Sequence, residues 1–216
     1  MRSLTYLYTH GTEVLILTLE HLEIVLVATL LAFVTAVPLG VWIARRRAWA
    51  GPVLALASGI MTVPSIALLG LLIPVLSVIG QGIGRVPTVI ALVLYAQLPI
   101  VRNTYTALVT MDPDVLDAAR GMGMTPSQRL WRVEVPIALP LILGGVRTAV
   151  VMSIGVTAIA AYIGAGGLGH LIQVGLNAAD DAIVLAGALV LAALAVAAEL
   201  LLGWAQRALT PPGMRS

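Results

Sequence analysis

Several groups of residues in this 216-residue chain have types and spacings that could do chemistry. The run Gly164-Ala165-Gly166-Gly167-Leu168-Gly169 matches the glycine pattern that cradles a dinucleotide pyrophosphate. That chemistry needs a short strand before the run and an acid about 20 residues beyond it. Here a membrane-length apolar segment precedes it, and Asp180 and Asp181 come too early. A glycine-rich turn at the outer membrane face is expected instead, re-entrant through 171–176. His10, His21 and His170 lie scattered without ligand spacing, so no metal site is expected. The 12 basic residues are all arginine. A phosphate-binding P-loop needs a lysine on the nucleotide phosphates, so this chain carries no standard one. If ATP drives it, another subunit hydrolyses that ATP. No catalytic constellation appears, and neither a cofactor nor a nucleic-acid partner is expected.

One stretch is built with more punctuation than a passive loop needs: residues 112–140, DPDVLDAARGMGMTPSQRLWRVEVPIALP. Asp112 is placed to cap a helix, with Pro113 at the first helical position, where its missing N–H costs nothing. That helix is expected to run to Arg120, with Gly121 or Gly123 taking the left-handed conformation that ends it. Thr125, Pro126, Ser127 and Gln128 then restart a helix, with Thr125 and Gln128 spaced as a capping box. Two capped short helices at a glycine elbow make a rigid knob on a membrane surface. The chemistry of such a knob is docking and leverage.

These residues resemble the Glu-Ala-Ala loop of ABC-importer permeases. Asp117-Ala118-Ala119 stands for the triplet, Gly123 falls at the motif's glycine, and Val133-Glu134-Val135-Pro136 and Pro140 match its proline-containing end. Aspartate for glutamate, and valine for isoleucine and leucine, are the departures. The resemblance implies that Asp117, Ala118, Ala119, Gly123, Thr125, Pro126 and Gln128 couple the chain to an ATPase, with residues 117–130 in a groove on that partner.

The rest of the chain must hold this knob. At 60% hydrophobic and 10% charged residues, with a mean hydropathy of +1.03, it is no soluble domain of average composition. There is no cysteine, which excludes disulfides and thiolate sites. Crossing a bilayer core of roughly 30 Å takes about 20 helical residues. Apolar segments of that kind fall at about 22–44, 52–79, 86–110, 141–163 and 182–204. The fold class expected is an all-α polytopic membrane protein. It divides into an extracytoplasmic N-terminal segment (1–21), a five-span domain (22–206) containing the loop, and a cytoplasmic tail (207–216). The first segment is no cleaved signal peptide, because Glu13, Glu20 and Glu23 flank it upstream and Arg45-Arg46-Arg47 follows it. With that triplet inside, Arg45, Arg46, Arg47, Arg120, Arg129, Arg132, Arg207 and Arg215 all lie inside and only Arg2 and Arg85 outside. The positive-inside rule then puts the N-terminus outside and the knob and C-terminus in the cytoplasm.

Small residues recur every fourth position within two spans: Ala28, Ala32, Ala36 and Gly40, then Gly145, Ala149, Ser153, Thr157 and Ala161. Such stripes let helix backbones approach closely in lipid. Pro64 and Pro74 interrupt the second segment and Pro99 the third. Near them Ser58, Thr62, Ser65, Tyr95 and Gln97 place polar groups at membrane depth, candidates for a translocation path. Arg102 and Arg147 are expected to snorkel towards the cytoplasmic face, and Glu199 to meet water or Arg207.

Three further passages narrow the resemblance: residues 63–69 (VPSIALL), 98–105 (LPIVRNTY) and 163–169 (IGAGGLG). They look like permease subunits of glycine betaine/carnitine/choline importers, the last passage being shared with methionine importers. The resemblance implies a MetI-like five-helix core, a second permease copy or paralogue, two cytoplasmic ABC ATPases and an extracytoplasmic substrate-binding protein. It implies uptake of a compatible solute into a bacterial cell. With one Phe, four Trp and five Tyr, the chain is a poor candidate for the aromatic cage that recognises quaternary ammonium. A methionine or amino-acid importer permease is the alternative within this class. A self-contained channel or secondary transporter is the alternative outside it, disfavoured because no carboxylate stands at the centre of a span.

Overall fold

The computed structural model describes residues 2–210, and those residues fold entirely as helices and short connections. A short helix α1 (Arg2–Thr9) leads into α2 (Gly11–Arg45). After a 3₁₀ turn come α3 (Ala50–Thr62), α4 (Ser65–Ser77) and α5 (Arg85–Val109). The knob follows as α6 (Pro113–Gly121) and α7 (Pro126–Arg129), and a π turn (Leu130–Glu134) runs into α8 (Val135–Ala160). A glycine-rich turn, α9 (Gly169–Asn177) and α10 (Asp181–Leu209) complete the described chain. Four helical runs are long and apolar enough to cross a membrane, and the bent pair α3–α4 makes a fifth candidate span.

The helix that carries the first span begins eleven residues before the apolar segment expected to cross. The 35 residues of α2 measure about 52 Å at 1.5 Å per residue, well beyond the bilayer core. Glu13 and Glu20 made the segment before residue 22 look like a flank. Only Leu17 and His21, buried there against other helices, show that the helix is already packed. The second segment is a pair of helices bent by 98° between α3 and α4. A residue before proline is pushed towards extended backbone, and Val63 adopts φ −67°, ψ 128°. Pro64 then opens α4. The Val63 carbonyl accepts a hydrogen bond from the Tyr95 hydroxyl of α5 at 2.7 Å.

Both small-residue stripes are buried and both close on α5. A β-carbon on Gly40 would lie 2.6 Å from the Thr104 β-carbon, and one on Gly145 would lie 2.6 Å from the Pro99 carbonyl oxygen. So α2 and α8 grip α5 from two sides at near-backbone distance. Ala32, Ala36, Ala96, Ile100, Val101 and Ala149 form the core between them. In lipid, this contact replaces the hydrophobic drive that holds soluble cores together.

The glycine-rich run is a turn, as expected, with Gly164, Gly166 and Gly167 at φ +78°, +82° and +74°. It hands the chain to α9, which packs on α10 where Gly175 and Gly187 leave no room for a side chain. Arg147 departs from expectation. It pairs with Glu199 across α8 and α10, while Gly203 clears the space beside its guanidinium. Gln206 secures the same seam by donating to the Pro140 carbonyl at 2.8 Å. Snorkelling is the default for an arginine seen along one helix; a partner 52 positions away on another helix becomes visible only on packing.

Gly145→Leu is expected to force α8 away from α5, at a cost of about 1–3 kcal/mol for overpacking. Membrane-inserted, monodisperse protein on size-exclusion chromatography should fall sharply. An unchanged elution profile and yield would move the stripe off the α5 contact.

Candidate functional site

The knob forms as its punctuation dictates. The Asp112 carboxylate accepts the Asp114 backbone N–H at 2.9 Å, capping α6 above Pro113. At the other end Gly123 sits at φ +74°. The Met124 N–H reaches back to the Ala119 carbonyl at 3.2 Å, and the Gly123 N–H to that of Arg120 at 2.9 Å. This is a Schellman ending with glycine at its left-handed position. Thr125 and Gln128 form a reciprocal capping box: the Thr125 N–H donates to Gln128 Oε1 at 2.9 Å, and the Gln128 N–H to Thr125 Oγ1 at 3.3 Å. A β-carbon on Gly123 would meet nothing within 4 Å. The requirement for glycine inside this chain is therefore its backbone angle, and the space around it is free for a partner.

The sequence-predicted coupling residues share this knob but not one environment. Asp117, Ala118, Gly123, Thr125, Pro126 and Gln128 are exposed, whereas Ala119 is buried. Asp117 pairs with Arg120 one turn on, at 2.7 Å, with both side chains well exposed. Such a pair is worth about 0–1 kcal/mol. Two residues absent from the predicted set stand out: Met122 is 69% exposed beside the elbow and Trp131 67% exposed after α7. Both are large apolar side chains on an otherwise polar knob.

Glu134 was visible in the sequence only as a letter within the motif's end. In the structure it is 4% exposed. Its Oε2 accepts from Arg45 Nη2 at 2.5 Å and its Oε1 from Arg129 Nε at 2.8 Å. The carboxylate thus ties the end of α2 and the end of α7 to the foot of α8. The only sequence signal for it was an acid inside an otherwise apolar run beside arginines.

The candidate path residues divide into two places. Thr62 closes α3, its hydroxyl donating to the Gly59 carbonyl at 2.6 Å, and Ser65 opens α4. Ser58 lies one turn earlier, and Tyr95 reaches the break between them. Gln97 instead donates to Thr35 Oγ1 of α2 at 2.9 Å. Among the described residues, no three His, Asp or Glu side chains come together in a way that could hold a metal ion.

A bundle of apolar helices, one pair of them sharply bent, thus carries a capped knob between α5 and α8. The family model for the binding-protein-dependent transport system inner membrane component matches residues 36–211, and the chain belongs to that family. More narrowly, it is 51% identical over 215 residues to the osmoprotectant import permease protein OsmW of Salmonella typhimurium, covering 100% of both chains. It is 39% identical to the glycine betaine/carnitine/choline transport system permease protein OpuCB of Bacillus subtilis, covering 98% of this chain and 95% of that one. Among solved structures it resembles an inward-facing conformation of the MetNI methionine ABC transporter. That likeness has a TM-score of 0.80 at 26% identity and covers 89% of this chain and 94% of that one. The chain is an all-helical, MetI-like ABC-importer permease.

Thr125→Ala removes the oxygen that satisfies the Gln128 N–H, at a cost of roughly 0.5–2 kcal/mol. Amide exchange across 126–130 should accelerate about tenfold, while exchange in α8 stays unchanged. Equal protection of that segment in both proteins would mean that the capping box does not hold α7.

Proposed function

We propose that this chain is the permease subunit of an importer for quaternary-ammonium compatible solutes, of the glycine betaine, choline or carnitine kind. Full-length identity of 51% to an osmoprotectant import permease is the observation that carries the substrate class. The methionine alternative rests on a structural likeness at 26% identity, well below the identities to osmoprotectant permeases, and is set aside. ATP hydrolysis comes from two separate cytoplasmic ATPases, since the chain has no lysine for a P-loop. A second permease completes the membrane unit and an extracytoplasmic binding protein delivers the solute.

In this reading the knob at 112–134 seats in a groove of the ATPase. Met122 and Trp131 supply apolar contact, and the open side of Gly123 admits the partner's surface. Closure of the ATPases moves the knob, and the spans rearrange around a path beside the α3–α4 break. Ser58, Thr62 and Ser65 are assigned to that path, while Gln97, bonded to Thr35 on α2, stands apart from it. Tyr95 is better placed as the pin of the break, because its hydroxyl is committed to the Val63 carbonyl. The N-terminus lies outside and the C-terminus in the cytoplasm, as the arginine distribution favours.

A reporter inserted near Gly82 should be accessible from outside and one fused beyond Arg207 only from the cytoplasm. Both reporters on one face would rule out this topology.

Gly123 permits a sharper test of coupling. Alanine and leucine there pay the same left-handed penalty, about 1–2 kcal/mol, but only leucine projects bulk into the partner's space. Gly123→Ala should keep most ATPase association, and Gly123→Leu should lose it together with uptake of radiolabelled glycine betaine. Wild-type association and uptake in Gly123→Leu would remove the coupling role from the knob.

A further inference from the structure

The Glu134 cluster is more than the knob's attachment point. Arg45 is the last residue of α2, Arg129 the last of α7, and Glu134 the last of the π turn that leads into α8. Residues five apart on an α-helix lie about 140° apart around the axis, too far to face each other. The wider π turn, closed by the Val135 N–H on the Leu130 carbonyl, brings Arg129 and Glu134 onto one side. Single π turns inside helices are rare and recur at functional sites. Here the turn has a definable product, a buried carboxylate with each oxygen engaged by a different guanidinium.

The burial is selective. Glu134 is almost wholly enclosed and Arg129 nearly so, at 13% side-chain exposure, whereas Arg45 keeps 40%. Removing the carboxylate would leave two cations facing each other with nothing between them, one of them largely buried. Breaking such a pair costs far more than the pair itself contributes. The contact joins the end of α7 to the end of α2 and the start of α8. Of these, α2 and α8 are the helices that grip α5 through Gly40 and Gly145.

Resting on the coupling role of the knob, we propose that Glu134 is the positioning residue that delivers the knob's displacement to α2 and α8 together, so that α5 is carried between them. Its partners in this are Arg129 on the knob side and Arg45 on the span side. Without the joint, the knob still seats on the ATPase, but its motion is absorbed in the π turn.

The test uses the complete transporter, permease with its ATPase and binding protein, in proteoliposomes. ATP hydrolysis and uptake of radiolabelled glycine betaine are measured on the same preparation. Glu134→Gln should retain ATPase association and hydrolysis while solute moved per ATP falls at least tenfold. Arg129→Gln, which leaves the Arg45–Glu134 pair intact, should lower that ratio severalfold. A purely structural staple would lower assembly or thermal stability without changing the ratio in the complexes that do form. If Glu134→Gln fails to assemble, Arg129→Gln decides alone. A wild-type ratio in Arg129→Gln, or in an assembled Glu134→Gln, overturns the proposal. Gly123→Leu run in parallel separates the two ideas: loss of coupling there with a normal ratio in the Glu134 and Arg129 variants leaves the knob's role standing and removes only the joint.

Discussion

Water is absent from a bilayer core, and two consequences of that absence organise this molecule. Helices gain little by hiding apolar surface from one another, and every backbone polar group has to be satisfied within the protein. The first consequence makes closeness of approach the source of cohesion. Gly40 and Gly145 let α2 and α8 reach α5 at distances where a β-carbon would collide. The buried alanines of the same stripes extend that contact along the helices. α5 is the centre of the bundle for this reason.

The second consequence decides where the bundle bends. A proline pushes the residue before it out of the helical ladder, and that residue's carbonyl then needs another partner. At the α3–α4 break the Val63 carbonyl finds one in Tyr95, a hydroxyl brought in from α5. At the entry to α8 the π turn interrupts regular α-helix, and there the ionic contact of Glu134 with Arg45 and Arg129 spans the interruption. Both irregularities are held by polar groups from other elements. They are therefore defined corners rather than loose ones.

Charge follows the same division. Glu20 and Glu23 on α2 meet Arg85 at the start of α5, at 3.6 and 2.9 Å, and Glu20 also accepts the Gly167 N–H of the glycine turn. At its C-terminal end α2 contributes Arg45 to Glu134. A single long helix thus carries ionic contacts about a third of the way along and at its last residue, while the stretch between presents alanine and glycine to α5. The Arg147–Glu199 pair, with Gln206 beside it, joins α8 to α10. Exposed ion pairs, Asp117–Arg120 and Arg85–Glu23 alike, contribute little by comparison with the enclosed Glu134 contact, being screened by water.

Local rules made much of this legible before folding. The caps at Asp112 and Thr125, a left-handed glycine at 121 or 123, the stripes of small residues and the break at Pro64 depend on neighbours within a few positions. Dihedral limits and hydrogen-bond reach act over that range, so sequence by itself determined them. Pro74 and Pro99, expected to interrupt their segments too, instead lie inside α4 and α5. Multi-point spacing across the knob and the apolar spans likewise determined the family. Tertiary structure alone decided which charges meet. Glu134 with Arg45, Arg147 with Glu199 and Tyr95 with Val63 are separated by 89, 52 and 32 positions. No periodicity along one helix encodes which side chain of another will stand opposite. The start of α2 escaped for a related reason. Glu13 and Glu20 mark a polar flank when read along the chain, yet the helix beneath them continues because Leu17 and His21 are buried against partners that the chain brings round only later.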